Sequence, residues 1–378
     1  MECKQAVWDK ESGWEAFEAL VALDSPQSLV VVFGVQSQPE FLSAFRQLQT
    51  AMPESQIVGC STAGEIRTGD IHVIEQSVVA TVLKFESTQI QVECLPVSYD
   101  KSFWCGENLG SRLKGDNLKL VMVLGDGTSI EGSQLSYGLN SVLPDGVPVI
   151  GGLAGDYNKW EETFTLFDNK LSSGHAVAVG FYGESLDVGF GIGGGWLAFG
   201  PERTVTYSEG THVYEIDYQP AFELYKKYLG ELADELPGSG YNFPIQVALP
   251  DCEQKIIRSL VSIDDEDGSI IFAGAVPEGA LVHLMMSNFK SLIEGAQSAA
   301  EACGTGSQPD VAILVSCVGR RILLEQLTDE EVDAVSQVLG ENTMIAGFYS
   351  YGEFSPSGEC LNCLHHNQTM TITTLKEG

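Results

Sequence analysis

Positive charge is scarce in this chain. Its 378 residues carry 20 Lys+Arg against 52 Asp+Glu, a formal net charge of −32. A field of that sign repels phosphate backbones and anionic lipid surfaces. No cluster of basic residues counters it, the only paired arginines being Arg320 and Arg321. Nucleic acid and membrane surfaces are therefore not expected as partners. The charge reads as a solubility device, with a basic partner surface as the sharper alternative. Long apolar runs are missing too. Nothing approaches the ~18 uninterrupted apolar residues of a membrane span, and Met1-Glu2-Cys3-Lys4 opens no apolar signal core. Nor is there a disulfide framework: nine cysteines, an odd number, lie scattered along the chain. The expectation is a cytoplasmic protein with reduced thiols, most of them small core residues.

What is present is a chain long enough for two domains, or three small ones, with 44% apolar residues. Its clearest internal signal is a unit that occurs three times. Each copy has an apolar strand, a helix, a second short strand, then a Gly-rich turn ending in an acid. The first runs from Leu29–Gly34, through a helix with Phe41, Phe45, Leu48 and Met52 on one face, to Ile57-Val58-Gly59-Cys60-Ser61-Thr62-Ala63-Gly64-Glu65. The second runs from Leu120–Gly125, through a helix over about Glu131–Leu143, to Val149–Asp156. The third opens at Val311–Val315, has a helix starting at the capping box Thr328-Asp329-Glu330-Glu331, and ends at Met344–Glu353. The first and third share Gly-x4-Gly-Glu; the second is one residue shorter, with Asp156 as its acid. A further strand follows each turn: Val78–Leu83, Ala176–Phe181 and Thr369–Thr373.

Strand–helix–strand units imply parallel pairing, while the alternating stretches Val92–Val97 and Thr204–Val213 read as antiparallel. The fold class is α/β to α+β, with mixed β-sheets covered by helices in two domains. The cut falls near Tyr218, giving 25–218 and 219–378.

Two segments match motifs by letter only. Gly189-Phe190-Gly191-Ile192-Gly193-Gly194 fits a dinucleotide fingerprint, but a strand-like segment follows it where a helix is required, so it reads as a strand bend. Asp264–Gly268 lies between two apolar strands and reads as a hairpin turn.

The stretch Ile57–Glu65 resembles the signature of the FIST N-terminal domain. Val213–Asp217 with Pro220-Ala221-Phe222 is similar to the junction of such proteins. Ala346–Glu353, followed by His366-Asn367-Gln368-Thr369, is similar to the end of the FIST C-terminal domain. The resemblance implies a sensory protein with a small ligand; among relatives of this length are NosP-type nitric oxide sensors. These bind haem and act on histidine kinases, and so on cyclic-di-GMP and biofilm control. No kinase, receiver or cyclase region is legible in the chain, so the expected listener is a separate partner.

On that resemblance the candidate haem ligands are His366, favoured for adjoining Asn367, and His365. His72, His175, His212 and His283 read as core or surface residues. Cys360 and Cys363 precede the His pair. They miss the covalent haem-attachment spacing, because Leu364 intervenes, and leave zinc, an iron–sulfur centre, a redox dithiol or no site open. In the haem-free alternative, the ligand is an amino acid-like metabolite. Its pocket is lined by Gly59, Cys60, Ser61, Gly64, Glu65, Gly347, Tyr349, Tyr351, Gly352, Glu353 and Asn367, with Glu65 and Glu353 facing an amine. Catalysis is not expected: Cys60 or Ser61 could act as a nucleophile, but no Gly-x-Ser-x-Gly elbow or local base accompanies them.

Overall fold

The computed structural model describes all residues except 35, 37, 70–71, 158, 168–169, 237, 250–253, 265, 305–307 and 358–359, and the side chains of 235, 357 and 360–362. The three repeated units fold alike. Ser28–Phe33 lies between Gln56–Cys60, parallel, and Val78–Lys84, antiparallel. Leu118–Gly125 lies likewise between Val149–Leu153 and His175–Tyr182, and Val311–Cys317 between Met344–Ser350 and Met370–Glu377. Helices Pro39–Ala51, Gly132–Asn140 and Thr328–Leu339 lie in the three crossovers. One glycine recurs in each second strand because the backbones touch there. A Cβ on Gly59, Gly151 or Gly347 would sit 2.0–2.1 Å from the carbonyl oxygen of Val32, Val123 or Leu314 in the neighbouring strand.

The units then exchange strands in a ring. Glu65–Arg67 leaves the first unit and pairs with Met344–Ser350 of the third. Gly352–Ser357 leaves the third and pairs with Val149–Leu153 of the second. Thr165–Phe167 leaves the second and pairs with Gln56–Cys60 of the first. The three sheets enclose one apolar core. It takes Leu29, Val31 and Phe33 from the first, Leu120, Met122 and Leu124 from the second, and Val311, Ile313 and Val315 from the third. The alternate residues Val30 and Val32 face outward, in a cluster with Phe41, Phe45 and Leu48 of the first helix. Burial on both faces is why these strands read as unbroken apolar runs.

Between the second and third units lies an eight-stranded sheet, from Leu197–Glu209 to Leu281–Met286, with its own core. The expected cut at Tyr218 falls inside it, between the paired strands His212–Ile216 and Gln219–Pro220. Strands from both sides of that cut share two of the other sheets.

The mixed α/β to α+β class holds, and so do the antiparallel readings. The Gly-rich stretch is the strand Leu186–Gly193; its glycines admit helix Phe289–Ala302, since a Cβ on Gly191 would lie 1.7 Å from Ala299 O. The Asp264 segment joins the antiparallel strands Leu260–Ile263 and Ile270–Phe272, with residue 265 outside the described residues. One helix start and one helix end differ from expectation. Thr328 is not an N-cap: Leu327 is, and Glu331 turns inward to Arg320. The second unit's helix is shorter, Gly132–Asn140, with Glu131 accepting from the N–H groups of Ser133 and Gln134 as its cap.

Candidate functional site

The three turns after the second strands meet. Ala63 N–H donates to Tyr349 O and Tyr349 N–H to Gly64 O; Gly155 N–H donates to Ser61 O; Tyr351 N–H donates to Leu153 O. Two of the three crossings are tight. In both, a buried glutamate lies at or next to the first residue of the crossing strand and is held by hydroxyls. Glu65 accepts from Thr62 Oγ1 at 2.6 Å, Tyr157 Oη at 2.6 Å and Ser77 Oγ at 2.9 Å. Glu353 accepts from Ser350 Oγ at 2.9 Å and from Thr369 Oγ1 at 2.8 Å and N–H at 3.2 Å. No cation sits on either carboxylate among the described residues. Burial pushes the Glu65 carboxyl up from its ordinary value against these hydrogen bonds, and pushes Glu353 up to about 8.

The second crossing differs. By register, Glu65 faces Phe348, Glu353 faces Gly152 and Thr165 faces Cys60, each one residue past the recurring glycine. Thr165 therefore holds the glutamate's place, and Asp156 is not the counterpart of Glu65 that the shared pattern implied. A loop from Asp156 to Phe164 is inserted before the strand instead. Asp156 organises it: its carboxylate accepts from the N–H groups of Lys159, Trp160, Glu161 and Glu162, at 2.7–3.1 Å, and from the Tyr351 hydroxyl. Partial burial opposes ionisation, but these donors hold its carboxyl below the usual range. Trp160 stacks on Tyr351 with ring centroids 3.6 Å apart.

This loop leaves an open polar cleft at the ends of Ser28–Phe33 and Gln56–Cys60. It has two adjoining hollows of about 130 and about 350 Å³, which share Gln36, Gln38, Tyr157 and Lys159. The smaller adds Ser61, Thr62, Asp156, Glu161, Glu162 and Phe164; the larger adds Lys10, Glu40, Phe41, Glu75 and Gln76. Ligands of α/β proteins commonly sit at such strand ends. Gln36 Nε2 is buried without a well-formed hydrogen bond among the described residues, its amide lying beside the Tyr157 hydroxyl. Tyr157, Trp160 and Gln76 hold left-handed backbone, φ 58°, 58° and 52°, where non-glycine residues are strained. Two of the three line the cleft.

Of the candidate ligand and metal residues named from the sequence, Ser61 alone among the described residues lines this cleft, beside Asp156, the acid of the second turn. Glu65 lies behind it, tied to its wall through Thr62 and Tyr157. Gly59 and Gly347 are the sites of close strand approach. Gly64 packs against the Arg321 guanidinium. Cys60 is in the central core, and burial pushes its thiol far up, which suits packing and not nucleophilic attack. Tyr349 is buried on Glu331, its hydroxyl donating at 3.1 Å. The inserted loop and Gln36, Lys10 and Glu75 were missed; the one signal was the length of polar chain between Gly155 and Thr165.

The C-terminal candidates lie elsewhere, in a sealed polar cluster. Arg258 is fully buried and donates to His365 O at 2.8 Å and, at 3.5 Å, to Asn367 Oδ1. His366 has Nε2 at 3.3 Å from Ser355 O; burial, then Arg258, pushes it down to about 3. Neither nitrogen of His365 has a partner among the described residues. A haem iron must reach such a nitrogen, but the ring is walled by glycine backbone. A Cβ on Gly352 would fall 2.2 Å from Nε2, and one on Gly274 2.9 Å from Nδ1. In this packing the residues present do not fit a haem, and Gly352 and Glu353 flank that wall rather than the cleft. Cys363 is buried and its thiol pushed far up; the Cys360 side chain lies outside the described residues. Among those described, no three His, Cys, Asp or Glu side chains gather as metal ligands. The other histidines are held as structural or surface groups, His72 for example between Arg67 O and Asp333. Among the described residues no helix is long and apolar enough to cross a membrane.

Comparison with known proteins agrees with the motifs. Residues 28–219 match the FIST N domain and 221–356 the FIST C domain. An uncharacterized protein of Methanocaldococcus jannaschii is 20% identical over 371 residues, covering 90% of this chain and 69% of that protein. The protein belongs to the FIST family, whose domains are sensory domains of signal transduction.

Proposed function

We propose that this protein is a non-catalytic sensor that binds a small polar ligand of the amino-acid class in the cleft between the first and second units. One observation carries this reading: of three matching crossings, two are closed on buried glutamates and the third is opened by a loop that lines a polar cleft. Lys10 and Lys159 offer cations to a carboxylate, and Glu40, Glu75, Glu161 and Glu162 offer anions to an ammonium. The listener is a separate protein, a histidine kinase by resemblance to NosP-type sensors. Those sensors also offer haem and nitric oxide as the stimulus, a reading the glycine wall around His365 disfavours.

A thermal-shift screen of free amino acids, simple amines and carboxylates tests the ligand. A binder at 100 times its Kd adds about 2.7 kcal/mol, and Lys159→Ala should weaken that gain. A panel with no shift removes the reading. A stoichiometric Soret band on adding haemin, lost in His365→Ala, would replace it with haem binding.

A further inference from the structure

Arg320 and Arg321 leave helix Val318–Leu324 toward different partners. Arg320 points into the C-terminal part and is fully buried. It donates to Glu331 of helix Thr328–Leu339 at 2.5 and 3.0 Å, to Leu292 O of helix Phe289–Ala302 at 2.8 Å, and to Gly194 O at 2.6 Å. Arg321 points to the cleft. It donates to Ala63 O in the first turn and pairs with Glu75, which lines the larger hollow. Its guanidinium also lies 5.9 Å from the ring centre of Tyr349, whose hydroxyl donates to the same Glu331. A cleft residue thus contacts helix Val318–Leu324 directly at Arg321, and reaches Glu331 of helix Thr328–Leu339 through two side chains, Arg321 and Tyr349. One of those links is a part-exposed ion pair, the Glu75 side chain being 51% exposed and so open to competition from solvent and ligand.

We propose that the Glu75–Arg321 pair couples the cleft to the helices of residues 318–339: a ligand ammonium that takes Glu75 leaves Arg321 held by Ala63 O without its counter-charge, and so loosens the hold of the first turn on Val318–Leu324. The proposal rests on the ligand-binding reading of the cleft. Glu75→Gln imitates the state in which Glu75 no longer holds Arg321, so the coupling can be measured with no ligand, and the two ideas fail separately. Hydrogen–deuterium exchange of the full chain would compare wild type, Glu75→Gln, Arg321→Gln and the double variant. Glu294→Gln, which breaks the exposed Lys290–Glu294 pair, serves as control. The expected result is exchange of the 318–339 amides about two- to fivefold faster in Glu75→Gln, the range an exposed-type ion pair allows. The double variant should go no further than Arg321→Gln, and the control should leave the segment unchanged. Faster exchange confined to residues 61–77, or a change equal to the control's, overturns the proposal. If Arg321→Gln does not fold, Glu75→Gln against the control still decides.

Discussion

Glu353 makes stability depend on pH in a direction opposite to that of an ordinary buried ion-paired carboxylate. Its side chain is fully buried, and desolvation outweighs the hydrogen bonds from Thr369 and Ser350, raising its carboxyl from 4.5 to about 8. Unfolded, the same group ionises near its ordinary value. Between those two values the unfolded state therefore sheds a proton that the folded state keeps. The stability Glu353 contributes is full below about 4.5, falls as pH rises, and is lost above about 8. At 1.36 kcal/mol per unit the whole swing is about 5 kcal/mol, most of it between pH 5 and 8. Glu353→Gln removes the titration and keeps the shape. Its carbonyl can accept from the Thr369 N–H and hydroxyl, and its amide can donate to Ser350 Oγ, a hydroxyl free to reverse. Urea unfolding of both proteins from pH 5 to 9 is the assay. The difference between them cancels the other titrating groups, so the variant should gain on wild type by about 1 kcal/mol per unit up to pH 8 and then run parallel. Parallel curves across the whole range would show that Glu353 is already ionised in the fold, and that three donors suffice to hold a buried charge.

Other outcomes follow from the same geometry. Gly347→Ala forces a methyl against Leu314 O and should cost at least the ~1–3 kcal/mol of an overpacked core, read from the urea midpoint; an unchanged midpoint would mean the strands can part there. Asp156→Ala removes the acceptor of four backbone N–H groups and the Tyr351 hydroxyl, so limited proteolysis should cut within residues 157–164 faster than in wild type, and equal cutting would show that the loop is held by other contacts. His365 and His366 are kept neutral by burial and by Arg258, so two of the six histidine ring signals should not titrate between pH 8 and 5 by NMR. If all six titrate, the cluster around Arg258 is open to water.

Much of the architecture was legible because it is written in patterns that water enforces. Runs such as Leu29–Phe33 are apolar throughout because both faces are buried. The glycines recur because strand backbones touch, a constraint that leaves no other residue type. Strand exchange was not legible, since nothing local marks which sheet Glu65–Arg67 or Gly352–Ser357 will join; register across sheets is set by the tertiary core. The helix start at Thr328 misled for a related reason: a capping-box spelling lost to a buried Arg320 that needed Glu331 as its counter-charge. For the site, the sequence pointed to Ser61, which lines the cleft, and to Glu65 and Glu353, which are buried away from it. Glu65 and Glu353 stand out by repetition, and here repetition marks what closes the two tight crossings.

Function should then be sought where the copies differ. A residue kept in two closed crossings closes them; the copy in which Thr165 stands in its place cannot close the same way. Beside it lie the Asp156 loop and three left-handed side-chain-bearing residues, Tyr157, Trp160 and Gln76. The loop does tie the units together, through Tyr157 on Glu65 and Tyr351 on Asp156, but its left-handed backbone costs stability that the other two crossings do not give up. Backbone strain gathered at the one break in an internal repeat is what a binding site uses and a scaffold does not need. The same asymmetry explains why Arg321 matters: it grips the first turn from the C-terminal side, beside the crossing that is free to respond.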